Sequence, residues 1–254
     1  LAFKYNDTEK AKEELNNALK QPRARNIELA KCKITLADIY VKENNIWEAA
    51  LLYGQVNHTF KEDIIGHEAK LKAAKTYFYG GDFKWAKAQL DILKASTTKL
   101  IANDALQLSV LISDNLGLDT STAALKLYAK ADLYNYQNND SLAYLYYDSI
   151  LELFPENLTL LDDVYFMQAK INSKNKEWNS AINRYQKAVE YDDLLKDDAL
   201  FEMGLIYMDI LKEPEKALSC FEEIILNHQD SFYAFEARKR FRALRGDFND
   251  QIVK

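Results

Sequence analysis

The residues best suited to recognition chemistry lie near the end of the chain, in the run ARKRFRALR at positions 237–245. Guanidinium groups meet carboxylates and phosphates through paired, fork-shaped donors. At about 3.6 residues per turn, Arg238, Arg242 and Arg245 share an outward face, with Lys239 beside them. Ala237, Phe241 and Leu244 form an inward apolar stripe on the same helix. As a surface, the run suits an acidic partner or lipid headgroups. As structure, it is a solvated cap helix whose cations complement the negative C-terminal end of the helix dipole. Gly246 follows where a left-handed residue would end the helix, which also accounts for the tripeptide Arg245-Gly246-Asp247 without an adhesion role.

Catalytic chemistry finds little to work with. His58, His67 and His228 all fall near predicted helix ends, where histidines are solvated. The stretch Gly66-His67-Glu68-Ala69-Lys70 lacks the second histidine of a zinc-binding HExxH helix. Gly80-Gly81 reads as a turn between helices, not as a phosphate loop. Cys32 and Cys220 stand far apart and make neither a disulfide framework nor a metal pair. The expectation is a chain that is not an enzyme and carries no cofactor and no metal.

The elements that must position these residues are helices. The 254 residues are 48% hydrophobic and 28% charged, enough for a core and a soluble surface, and only 7 are Gly and 3 Pro. Few turn formers and no alternating β-branched runs argue for an all-α chain. The net charge of −6 disfavours a nucleic-acid partner, which needs clustered positive excess. No apolar run approaches the roughly 20 residues of a transmembrane helix. No secretory signal is visible, and because the chain opens at Leu1 its start is expected to have been processed or cut away.

A repeat organises the helices. An alanine is followed by a large residue at +4 and a small or aliphatic one at +7: Ala11 (Leu15, Ala18), Ala49 (Tyr53, Val56), Ala86 (Leu90, Leu93), Ala143 (Tyr147, Ile150), Ala181 (Tyr185, Ala188) and Ala217 (Phe221, Ile224). Twelve residues upstream of four of them stands another alanine: Ala37, Ala74, Ala131 and Ala169. Gly204 takes that part for Ala217, one residue further off. Tyr40, Tyr77 and Tyr134 stand nine before their anchors, with Tyr207 again one out of step. Successive anchors are 38, 37, 57, 38 and 36 residues apart. Small residues at the crossings let two helices of one hairpin approach closely, while rings fill the space beside them. Units are expected at 27–60, 64–95, 120–154, 160–191 and 197–227, after a lone second helix at 10–20. The long gap holds an extra apolar helix at 99–116, expected to change the direction of the array near 96–119. A cap helix at 231–245 closes the open end, as helical arrays require. The expected domains are 1–98, a junction at 99–118, and 119–254.

The segments KNKEWNSAINRYQKAVEYDD and YGGDFKWAKAQLDIL resemble second helices of tetratricopeptide repeats, although the family period of 34 is shorter. The resemblance implies a right-handed helical-repeat solenoid whose first helices line a concave groove. Aligned on that repeat, the groove would be lined by Leu71, Lys75, Phe78, Tyr79, Tyr128, Asp132, Tyr136, Phe166, Lys170, Phe201, Leu205 and Met208. Some such domains grip C-terminal carboxylates with a Lys/Asn/Arg clamp. Ile34, Asp38 and Lys72 hold the corresponding places here, so that clamp is broken. A narrower resemblance, carried by IWEAALLYGQV, KDDALFEMGLIY and FYAFEARKRFRALRGD, is to the C-terminal half of a long exported tetratricopeptide-repeat protein common in Bacteroidota. It implies a periplasmic or envelope address and a scaffold that binds another protein or peptide within an outer-membrane or secretion assembly. The alternative is a regulatory or sensing module of a larger protein whose active part lies upstream, and the alternative address is the cytoplasm.

Overall fold

The structure, a computed structural model, describes residues 7–94, 98–116, 122–191 and 195–247. Among these there are thirteen α-helices and no strand. They are α1 (Thr8–Leu19), α2 (Asn26–Lys42), α3 (Ile46–Thr59), α4 (Ile64–Tyr79), α5 (Phe83–Leu93), α6 (Lys99–Leu116) and α7 (Ala123–Tyr136). There follow α8 (Asp140–Leu153), α9 (Leu158–Lys174), α10 (Trp178–Tyr191), α11 (Lys196–Leu205), a π-helical turn (Ile206–Leu211), α12 (Pro214–Asn227) and α13 (Ala234–Arg245). The all-helical repeat expected from the spacing is present, and the extra helix occupies 99–116 as expected. The cap helix starts three residues later than expected, because 231–233 form a turn. Parts of the junction expected at 99–118, and of the change of direction near 96–119, lie outside the described residues.

One turn geometry closes every hairpin. Asn44, Gly81, Asn138, Lys176 and Lys212 have φ between 58° and 81°, the left-handed region. Each stands five residues before an anchor alanine. The N–H groups of Asn45, Asp82, Asn139 and Glu177 bond back to the carbonyls of Tyr40, Tyr77, Tyr134 and Asn172 at 2.7–2.9 Å. These bonds satisfy carbonyls orphaned at the end of the first helix. Each second helix then begins three residues before its anchor alanine. The anchors Ala49, Ala86, Ala143, Ala181 and Ala217 are all fully buried, as are Ala37, Ala74, Ala131 and Ala169 opposite them. Tyr53, Leu90, Tyr147, Tyr185 and Phe221, four residues on, are at most 1% exposed.

The last hairpin explains its own irregularity. There the N–H of Glu213 bonds the carbonyl of Tyr207, six residues back instead of five. The π turn at 206–211 takes up one inserted residue, which is why Gly204 and Tyr207 stand one out of step. Gly204 is required for a further reason. A Cβ there would lie 2.6 Å from Cε1 of the fully buried Phe221 ring.

By packing, the chain forms two compact units, residues 1–146 and 147–254. In the first, α6 packs along α5 and touches α4. It buries Ile101, Ala105, Ser109, Leu111 and Ile112. A polar contact fixes its register: Ser109 Oγ donates to Asp91 on α5 at 2.7 Å, and Lys87 and Lys94 reach the same carboxylate at 2.6 and 2.7 Å. Desolvation opposes ionisation of Asp91, but the combined hydrogen bonds from Lys87, Lys94 and Ser109 hold its carboxyl well below the usual carboxylate range.

Two outcomes follow. Gly204→Ala, which helix propensity alone would favour by about 1 kcal/mol, is expected to lower stability by about 1–2 kcal/mol in urea denaturation, because the Phe221 ring has nowhere to go. A more stable variant would show that the ring has room. Asp91→Asn is expected to lower the melting temperature at neutral pH. Because the folded-state pKa is depressed, that stability is present above the unfolded value of about 4 and is lost as pH falls. The gap between variant and parent should therefore shrink steadily below pH ~4, and a pH-independent gap would contradict the assignment.

Candidate functional site

In the first unit, α2 and α4 present the face on which a groove was expected. Asp38 on α2 is the centre of that face. Its two carboxylate oxygens accept from Lys72 Nζ at 2.8 and 2.9 Å. Tyr53 Oη on α3 donates to it at 2.5 Å, and Tyr136 on α7 bonds it as well. Burial, then the Asp38 charge, pushes the Tyr53 and Tyr136 phenols far up, so both remain protonated donors. Beside them Tyr79 on α4 bonds Asp132 on α7, and burial together with that carboxylate raises the Tyr79 phenol too. The rings of Tyr79 and Tyr136 lie 6.4 Å apart, as do those of Phe78 and Tyr128. Gln137 Nε2 donates to the Val41 carbonyl at 3.4 Å. Leu133 of α7 joins the core formed by Ile34, Ala37, Val41, Tyr53 and Ala73.

The protein's own α7 thus occupies the face that α2 and α4 would offer to a peptide. Leu71, Phe78 and Tyr128 are core residues, 7%, 0% and 5% exposed, and not groove-lining ones. Tyr79, Asp132 and Tyr136 are brought together as expected, but by an internal contact. Lys75 is half-buried. The broken clamp has a structural counterpart: Ile34 is buried, and the Lys72 ammonium is neutralised by Asp38.

The second unit repeats the lesson. Phe166 is 8% exposed, with its ring 5.5 Å edge-on from Tyr185, and exposed Lys170 places its Nζ 5.6 Å from the Phe166 centroid. Phe201 is also 8% exposed, stacked at 4.5 Å on Tyr233 ahead of the cap helix. Leu205 and Met208 pack partly buried on the same core. Phe166 and Phe201 are therefore packing residues, and Lys170 is the accessible member of this group.

The cap is different. Ala237 is fully buried, and Phe241 and Leu244 pack on the core, as the inward stripe requires. Arg238, Arg242 and Arg245 line a pocket of about 270 Å³ with Ile225, Leu226, Phe241, Glu222 and Asp247. Arg245 lies 5.5 Å over the Phe241 ring, and its Nε is 3.9 Å from Asp247. Arg238 and Arg242 make no ion pair among the described residues. Lys239 points to Glu236 at 3.9 Å and does not line the pocket. Gly246 has φ 79°, and Asp247 N–H bonds the Arg242 carbonyl, so the tripeptide is the helix stop it was read to be.

Sequence reasoning missed the exposed apolar side chains at this end of the chain, of which Leu226 lines the pocket. Leu226, Phe232 and Phe235 are 62%, 57% and 77% exposed. Their signal was available: Phe235 lies off the stripe of 237, 241 and 244. A second group, exposed Trp47 and Trp85 on either side of half-buried Tyr77 with centroids 6.4 and 6.2 Å from it, was missed in the same way. Among the described residues no group of three or more His, Cys, Asp or Glu is placed to hold a metal. Cys32 and Cys220 are unpaired, and burial pushes the Cys220 thiol up to about 11. None of the described helices is long and apolar enough to cross a membrane. If Asp38 anchors α7, Asp38→Ala should cost about 2–4 kcal/mol in urea denaturation, since it strands the Lys72 ammonium and two phenols. A loss below about 0.5 kcal/mol would show that those donors rejoin water freely.

A tetratricopeptide repeat family model matches residues 198–231. No curated protein matches the chain. Among solved structures, a signal-transduction ATPase with a tetratricopeptide repeat sensor from Pyrococcus horikoshii is 22% identical, with a TM-score of 0.46; the match covers 96% of this chain and 37% of that one. A tetratricopeptide repeat protein from Parabacteroides merdae is 14% identical over 96% of this chain and 94% of that one, with a TM-score of 0.41. The TPR2AB domain of yeast Sti1, in complex with pHSP90, is 15% identical over 96% and 94%, with a TM-score of 0.40. The chain is all-helical among its described residues, and the stretch that matches the tetratricopeptide repeat model, 198–231, is the hairpin made by α11, its π turn and α12.

Proposed function

We propose that this chain is a non-catalytic scaffold that binds a partner protein at its cap end, within a cell-envelope assembly. Helical hairpins of the tetratricopeptide kind generally serve protein–protein interaction, and among the described residues the titratable groups offer no nucleophile and base in a cleft. The observation that carries the choice of surface is the cap: large apolar side chains stand exposed beside two arginines without ion pairs. Exposed apolar area rimmed by charge is how docking surfaces differ from ordinary surface. The face of α2 and α4 is a poorer candidate because α7 already fills it. The envelope address rests on the resemblance of the segments quoted above.

A photo-crosslinking residue at Phe235 in the native cell tests the surface. The expected outcome is a discrete protein adduct that is absent from the same probe at Leu51, an exposed position in the first unit, and absent when Arg238→Glu and Arg242→Glu are added. Adducts of equal yield at both positions would overturn the assignment. Fractionation of the native protein checks the address, and recovery in the cytoplasm would remove the envelope part.

A further inference from the structure

We infer that the cap pocket receives an acidic segment of the partner, with one large apolar side chain inserted beside two carboxylates. The inference rests on reading the cap as the docking end and names the class of partner. Three features of the pocket select that class. Its volume of about 270 Å³ sits just below the range of small-molecule sites, which begins near ~300 Å³, so it suits a single side chain better than a metabolite. Its apolar contribution comes from Ile225, Leu226 and Phe241. Its unpaired charge is positive: Arg238 and Arg242 stand one turn apart on α13, a rise of about 6 Å, while Arg245 is already engaged by Phe241 and Asp247. A helical partner with acidic residues at i and i+4 repeats that rise, and an apolar residue at i+3 stands beside them, over the pocket.

A guanidinium next to apolar surface is poorly screened, so a carboxylate arriving there gains a charge-assisted, bidentate bond without first breaking another ion pair. The alternative anion, a lipid surface, is the weaker fit. Membrane-binding patches gather about 4–8 uncompensated cations. Here two are unpaired, Glu222 and Asp247 stand at the pocket, and the chain as a whole carries −6.

The probe is a fluorescein-labelled helical peptide with glutamates at i and i+4 and a leucine at i+3, titrated with the full chain and read by anisotropy. Saturable binding is expected, weakened at least about tenfold by Arg238→Glu with Arg242→Glu, and weakened by rising salt as exposed ion pairs are. Leu226→Ala, at a side chain exposed enough to leave folding intact, should weaken it as well. A peptide with lysines in place of the glutamates should bind the doubly reversed variant and not the parent. Equal binding of both peptides to the parent overturns the inference. So does binding to phosphatidylglycerol vesicles that depends on the two arginines while the glutamate peptide stays unbound. If the peptide fails but the Phe235 adduct still depends on the arginines, the acidic class is wrong and the docking end stands. If both fail, both readings fall.

Discussion

Every hairpin in this protein depends on two backbones crossing closely enough that only a methyl group, or nothing, fits between them. Ala49, Ala86, Ala143, Ala181 and Ala217 have no measurable exposure, and at the last crossing the opposite residue is Gly204, where even a Cβ would meet the Phe221 ring. Close approach brings the flanking Tyr53, Tyr147, Tyr185 and Phe221 into full burial, where each ring contributes on the order of 1.5–3 kcal/mol. The left-handed residue before each second helix makes the crossing repeatable, because it fixes where the chain turns back. Asn44, Gly81 and Asn138 accept that conformation readily, whereas Lys176 and Lys212 adopt it at a cost that the buried crossings offset.

That constraint has a consequence for recognition. A face of first helices is useful to a partner only while it stays open, and in the first unit it does not. Asp38 gathers an ammonium and two phenols, and one of those phenols belongs to α7. The rings that looked like peptide anchors are held by their own neighbour, since Phe78 meets Tyr128 and Tyr79 meets Tyr136. Burial of so many polar groups in one place is tolerable because each donor has an acceptor.

At the far end of the second unit the balance reverses. The cap helix buries Ala237 and turns Phe241 and Leu244 inward, which closes the apolar surface of the last hairpin. The residues left over, Phe232, Phe235 and Leu226 with Arg238 and Arg242, are not needed for that closure. They are what the cap offers beyond its structural duty.

The period of the anchors, the bounds of the repeat units to within about three residues, the one-residue misfit at Gly204 and Tyr207, and the helix stop at Gly246 were all legible in the order of residues. Each is a local rule: side-chain size at a fixed spacing, or backbone freedom at one position. The candidate surfaces were legible only in part. Arg238, Arg242 and Arg245 share a face by spacing alone, and the structure keeps them on one face. Whether Phe78, Tyr128, Phe166 and Phe201 face water was beyond the sequence, because it depends on which distant helix lies against them. Leu133 reaching Ile34 and Val41, and Phe201 stacking on Tyr233, are long-range contacts that no helical period encodes. Spacing determined which residues share a face; only packing in three dimensions decided which faces were left open.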